Sequence, residues 1–268
     1  MSSSTSRRRF LKTSAALAAV AGAKGAVGAE GDGSGTQQEY YELRVYRTND
    51  ADKKKRVDSY LDTALVPALG RMGLDRIGVF TNMDEPDDHS IYVLIPYSTL
   101  DRFSAVNPTL LADDKYQAAA KEHFAVPQDD PVFTRIQSRF YKAFAGIPTI
   151  EMPEQMAQKL PRVFELRIYE SHTEEKAALK VDMFNSGEIQ VMRDTQLGPV
   201  FFGEALIGDD VPNLAYMLSA ADRDAHGAHW KAFGEHPEWN RMKAMPKYKD
   251  TVSEITNIFL MPTGYSQV

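Results

Sequence analysis

The sequence contains no cysteine among its 268 residues. That absence excludes disulfide bridges, thiolate nucleophiles, zinc–thiolate sites and iron–sulfur clusters. Long apolar runs are missing too. The Ala-rich stretch from Ala15 to Val27 is short and broken by Gly22, Lys24 and Gly25, so an integral membrane protein is not expected. No G-x-G-x-x-G follows a strand pattern, and neither a Walker A loop nor a G-x-S-x-G elbow occurs. Nicotinamide enzymes, P-loop NTPases and α/β-hydrolases are therefore disfavoured. Basic charge is in deficit, with 31 Lys and Arg against 37 Asp and Glu. This argues against a nucleic-acid partner or an anionic membrane surface. No cofactor and no metal is expected. The acidic loop Asp84-Glu85-Pro86-Asp87-Asp88 lacks the spacing and glycine of an EF-hand and reads as a solvated turn.

What is present begins at the N-terminus. Ser6-Arg7-Arg8-Arg9-Phe10-Leu11-Lys12 ahead of the Ala-rich stretch resembles a twin-arginine export signal. Val27-Gly28-Ala29 offers small residues for cleavage. The expectation is a signal peptide over 1–29 and a periplasmic or otherwise extracytoplasmic protein. Removing it takes away five basic residues and no acids, moving the formal charge from −6 to −11. Residues 30–38, rich in Gly, Ser and Gln, read as a flexible linker.

The strongest internal signal is a repeat. Tyr41-Glu42-Leu43-Arg44-Val45-Tyr46 returns 123 positions later as Phe164-Glu165-Leu166-Arg167-Ile168-Tyr169. Both copies alternate apolar and polar residues, the mark of a half-buried strand. After each comes a helix pattern, two strand patterns, a second helix and a last strand. Asn49 or Asp50 can cap the first helix, Pro67 should kink or end it, and Ser98 can cap the second. Tyr92 returns as Tyr216 and Ser98 as Asp222. The order β-α-β-β-α-β is that of a ferredoxin-like unit. The expected class is α+β, with one unit over 39–145, a Pro- and Gly-bearing linker over 146–161, and a second unit over 162–266. Two such sheets, each covered by helices on one side, can stack as an intrachain version of a dimeric α/β barrel.

The chain resembles the NIPSNAP family through the paired Tyr/Phe-Glu-Leu-Arg strands, Val181-Asp182-Met183-Phe184-Asn185, Gly187-Glu188-Ile189, Pro237-Glu238-Trp239 and the ending Pro262-Thr263-Gly264-Tyr265-Ser266. The first half departs from the pattern, with Lys115-Tyr116 in place of Glu-Trp. The resemblance implies a dimeric α/β-barrel fold, with no catalytic residue to transfer. Related barrels include cofactor-independent monooxygenases of small aromatic substrates and haem-binding proteins.

Stacking suggests that Glu42, Arg44, Tyr46, Glu165, Arg167 and Tyr169 line a ligand cavity between the two sheets. The competing expectation is that they form structural ion pairs. His226, His229 and His236 offer a metal or haem-ligand alternative, without a zincin pattern around them. Trp230, Phe233 and Trp239 read as helix-end core rather than pocket wall. The functional expectation is a protein that binds a small, partly apolar molecule, alone or as a homo-oligomer. The alternatives are a cofactor-independent monooxygenase or a haem-binding barrel.

Overall fold

The computed structural model describes residues 37–158 and 160–268. The signal expected over 1–29 and most of the linker expected over 30–38 lie outside the described residues.

Asp50, Thr99, Thr173 and Asp222 each cap a helix, their side chains accepting the backbone N–H three residues on. Thr99 therefore takes the capping role expected of Ser98. Strand β1 (Tyr40–Arg47) leads into α1 (Ala51–Tyr60), a π turn (Leu61–Leu65) and α2 (Val66–Arg71). Pro67 lies in the first turn of α2, directly after the π turn, where a missing N–H costs little, and it does not end the helical path. Then follow β2 (Gly78–Asn82), β3 (Ile91–Tyr97), α3 (Leu100–Ala112), α4 (Asp114–Ala119), α5 (Lys121–Phe124) and β4 (Arg135–Ala143). A short α6 (Glu154–Ala157) lies in the connection. The second half runs β5 (Val163–Glu170), α7 (Glu174–Met183), a π turn (Phe184–Glu188), α8 (Ile189–Asp194), β6 (Pro199–Ile207) and β7 (Asn213–Ala220). It ends with α9 (Arg223–Glu235), α10 (Pro237–Lys243), a 3-10 turn (Pro246–Tyr248) and β8 (Glu254–Pro262).

All eight strands pair antiparallel into one closed barrel, in the order β1-β3-β2-β8-β5-β7-β6-β4. Each half supplies four consecutive strands of the ring. The halves meet at two seams, β2 with β8 and β4 with β6. The repeat is exact in register through the first three elements. Leu43 pairs with Leu94 as Leu166 pairs with Met217, and the two π turns are likewise 123 positions apart. Tyr92 therefore corresponds to Ala215, not to Tyr216. A slip of one residue reverses the face of a strand side chain, so the Tyr92 ring packs inside the barrel while Tyr216 lies beneath the helices.

The barrel interior is apolar. Tyr41, Leu43 and Val45 of β1 meet Phe164, Leu166 and Ile168 of β5, together with Phe80, Leu94, Tyr141, Phe201, Met217 and Leu260. The alternate residues of β1 and β5 point outward, under the helices. Glu42, Arg44, Tyr46, Glu165, Arg167 and Tyr169 therefore do not lie between the sheets, which corrects the expectation. Closure removes water from the interior on every side, and a charged head there would have no partner to compensate its desolvation. On the outer face, helix side chains arriving from above supply those partners.

Candidate ligand-binding site

The two copies of the Glu-x-Arg-x-Tyr pattern are completed differently. In the first half, Arg44 grips Glu42 with both prongs of its fork, Nε to Oε1 at 2.9 Å and Nη2 to Oε2 at 2.8 Å. Its Nη1 donates to the Tyr46 hydroxyl. Tyr97 and Ser138 donate to the two carboxylate oxygens. Burial works against the Glu42 charge, but Arg44, Ser138 and Tyr97 outweigh it and hold the carboxyl below its ordinary value. The group is closed upon itself.

In the second half α9 intervenes. His226 Nε2 and Trp230 Nε1 both lie 2.8 Å from Glu165 Oε2 and occupy that oxygen. Arg167 reaches Oε1 through Nη1 alone, at 2.5 Å. Its Nε donates to the Tyr169 hydroxyl at 3.2 Å, and its Nη2 has no protein acceptor among the described residues. Glu165 is again held low: burial opposes ionisation, and the His226 hydrogen bond, the Arg167 charge and the Trp230 N–H overcome it. The Tyr169 hydroxyl also accepts from Tyr216 at 2.7 Å, which leaves its own proton unassigned. The guanidinium stacks over the Trp230 ring at 4.8 Å.

This half-open fork borders a cavity of about 580 Å³ between the outer face of β5 and β8 and the helices of the second half. That lies within the range of small-molecule sites, about 300–1,000 Å³. Trp230, Trp239, Phe233 and Tyr248 line it, and these two tryptophans are the only ones in the sequence. Lys180 and Glu188 also line it, joined Nζ to Oε2 at 2.6 Å. Lys180 lies against the rings of Phe184, Trp239 and Tyr169. Burial pushes the Glu188 carboxyl up, and the charges of Lys180 and Arg167 offset this only in part.

The corresponding region of the first half is largely filled. Val57 and Leu65 stand 123 positions before Lys180 and Glu188, and Phe103 and Asn107 before His226 and Trp230. The Tyr60 and Tyr116 hydroxyls meet at 2.8 Å, and the His123 ring stacks on Tyr60. The space remaining beside Tyr60 and His123 is about 200 Å³.

Of the six residues singled out from sequence, Arg167 and Tyr169 reach the cavity, and Glu165 holds Arg167 from behind. Glu42, Arg44 and Tyr46 form a separate group in the other half. His226 is a packed residue bonded to Glu165, and neither His226 nor His229 lines this cavity. Among the described residues, no cluster of three metal-ligating side chains occurs. Trp230 and Trp239 belong to the pocket wall as well as to the core, which corrects their assignment to core alone. Lys180 and Glu188 were not anticipated. Their signal was a charged pair, Lys180 on α7 and Glu188 at the end of the π turn, at positions where the repeat places Val57 and Leu65.

Residues 164–267 match the family model for NIPSNAP. None of the curated proteins matches the chain. Among solved structures, a candidate monooxygenase from Lactobacillus acidophilus superposes with a TM-score of 0.55 at 9% identity, covering 84% of this chain and 94% of that one. An anthrone oxidase-like protein superposes with a TM-score of 0.53 at 11% identity, covering 84% and 91%. A NIPSNAP-like domain protein from Burkholderia xenovorans aligns at 17% identity and a TM-score of 0.36, covering 39% of this chain and 88% of that one. The two similarities that span 84% of the chain establish a shared barrel fold of the dimeric α/β kind.

Proposed function

We propose that the chain is a NIPSNAP-type tandem of two ferredoxin-like units, over 39–145 and 162–266, that binds a small, partly aromatic molecule carrying an acidic oxygen. The site is the cavity of the second unit. The first unit is its structural counterpart, with the equivalent space narrowed to about 200 Å³. One observation carries this reading: Arg167 is held by Glu165 through one prong only, and it lines an aromatic-walled cavity. A ligand oxygen there gains a charge-assisted hydrogen bond from Arg167 and a second from the Tyr169 hydroxyl, while its ring packs against Trp230 and Trp239.

Because both tryptophans line the cavity, tryptophan fluorescence is placed to report on its occupancy. Hydroxybenzoates and naphthols should quench it saturably. Arg167→Ala should weaken that binding roughly tenfold or more, in line with loss of a charge-assisted hydrogen bond. Arg44→Ala should lower stability and leave the quenching intact. Equal effects of the two variants on binding would remove the cavity from consideration.

A second reading, a cofactor-independent monooxygenase, is favoured by the likeness of the barrel, over 84% of the chain, to the candidate monooxygenase and the anthrone oxidase-like protein. Oxygen uptake with a bound hydroxyaromatic would support it. We further propose export through the twin-arginine route, tested by following a reporter fused after residue 29, with Arg7 and Arg8 changed to Lys.

A further inference from the structure

Lys180 and Glu188 face one another across the π turn that joins α7 to α8, and their side chains are 5% and 3% exposed. A buried ion pair is often no more stable than apolar side chains of similar volume. The first half carries that apolar version, with Val57 and Leu65 fully buried at the same positions of the same π-turn helix. The fold therefore does not require the charges. Local π turns are also enriched at functional sites. Only one oxygen of Glu188 is committed, to Lys180, and the other accepts no hydrogen bond from any described residue. Glu188 lines the same cavity as Arg167.

Resting on the cavity reading above, we propose that Glu188 is the base that removes the proton from a phenolic or enolic hydroxyl bound at Arg167. The O–H bond of the ligand breaks, the proton moves to the uncommitted oxygen of Glu188, and the electron pair stays on the ligand oxygen as an oxyanion facing Arg167. Charge is conserved within the site. Arg167 and Lys180 balance Glu165 and Glu188 before transfer, and Arg167 and Lys180 balance Glu165 and the ligand oxyanion after it. Lys180 is a positioning residue: it holds Glu188 and keeps the cavity from becoming too anionic to accept the ligand. The upward push of burial on the Glu188 carboxyl brings it closer to the acidity of a phenol, as an efficient base requires. The substrate class is thus a hydroxyaromatic or enol of one or two rings.

The test uses 4-nitrophenol, whose anion alone is yellow, with the whole chain. Tryptophan quenching measures its binding, and the visible band measures its ionisation. At about pH 6, below the pKa of the free probe, wild type should bind it as the yellow anion with no net release of protons, because the proton passes to Glu188. Glu188→Gln leaves the site one unit more positive and should still favour the anion, but with about one proton released to the buffer per site, read by calorimetry in two buffers of different ionisation enthalpy. The double variant Lys180→Val/Glu188→Leu, which copies the first half, should stay folded and likewise release a proton for each anion it binds. Quenching without the yellow band in wild type, or proton release as large in wild type as in the variants, would overturn the role of Glu188 and leave the cavity standing. Absence of saturable quenching in wild type would overturn both.

Discussion

At the scale of single residues, the two buried carboxylates of the repeated strands tie stability to pH. Glu42 and Glu165 are both held below the ordinary carboxyl value of 4.5 by the donors around them, against the effect of burial. A carboxyl with a depressed native pKa contributes stability above its unfolded value and loses it as pH falls through the native one. Urea denaturation should therefore show native stability falling from about pH 5 downward. Glu165→Gln should cost about 1.5–3 kcal/mol at neutral pH, because Arg167 and His226 lose a charged partner. Its acid-side decline should also be shallower than that of wild type. Parallel declines would mean that Glu165 carries no linked proton. The same residue explains the difference between the halves. Where Glu42 is gripped by Arg44 with two prongs, Glu165 is shared with α9, and that sharing frees one edge of Arg167.

At the scale of elements, strand parity governs the consequence of substitution. Leu166 points into the barrel and is 1% exposed, whereas Asn257 of the neighbouring β8, opposite Arg167, is on the outer face and exposed. Leu166→Ala should cost about 2–5 kcal/mol, since a closed interior cannot collapse around the void. Asn257→Ala should stay within about 0.5 kcal/mol. Chemical denaturation of the two variants checks this, and comparable losses would contradict the inward assignment. The π turns act at the same scale. Each widens a helix at the same point of the repeat, yet one presents Leu65 and the other Glu188. A duplicated backbone feature has thus been given an apolar filling in one copy and an ionisable one in the other.

At the scale of the molecule, the barrel closes only when both halves contribute. Each half alone would expose the inner face of four strands, including Tyr41, Leu43 and Val45 in one and Phe164, Leu166 and Ile168 in the other. Fragments 30–161 and 162–268 expressed separately should therefore associate with themselves or aggregate, and mixing them should restore a soluble one-to-one complex. Size-exclusion chromatography with scattering decides the matter. A soluble, cooperatively unfolding monomer from either fragment would show that a half needs no partner sheet.

The sequence by itself determined the repeat, the element order and the alternation of the paired strands, because those follow from local periodicity and from the spacing of 123 residues. It also pointed to Arg167 and Tyr169, since the Glu-x-Arg-x-Tyr pattern stands out wherever the chain folds. Which face of each strand turned inward was decided only by tertiary structure. Alternation gives two unlike faces, but a barrel interior and a helix-covered surface both exclude most water, and sequence parity alone does not say which of them can supply partners for a charge. The site followed the same logic. His226 and Trp230 meet Glu165 across more than 60 positions of sequence, so the release of one edge of Arg167, and the space in front of it, exist only once α9 has packed on β5.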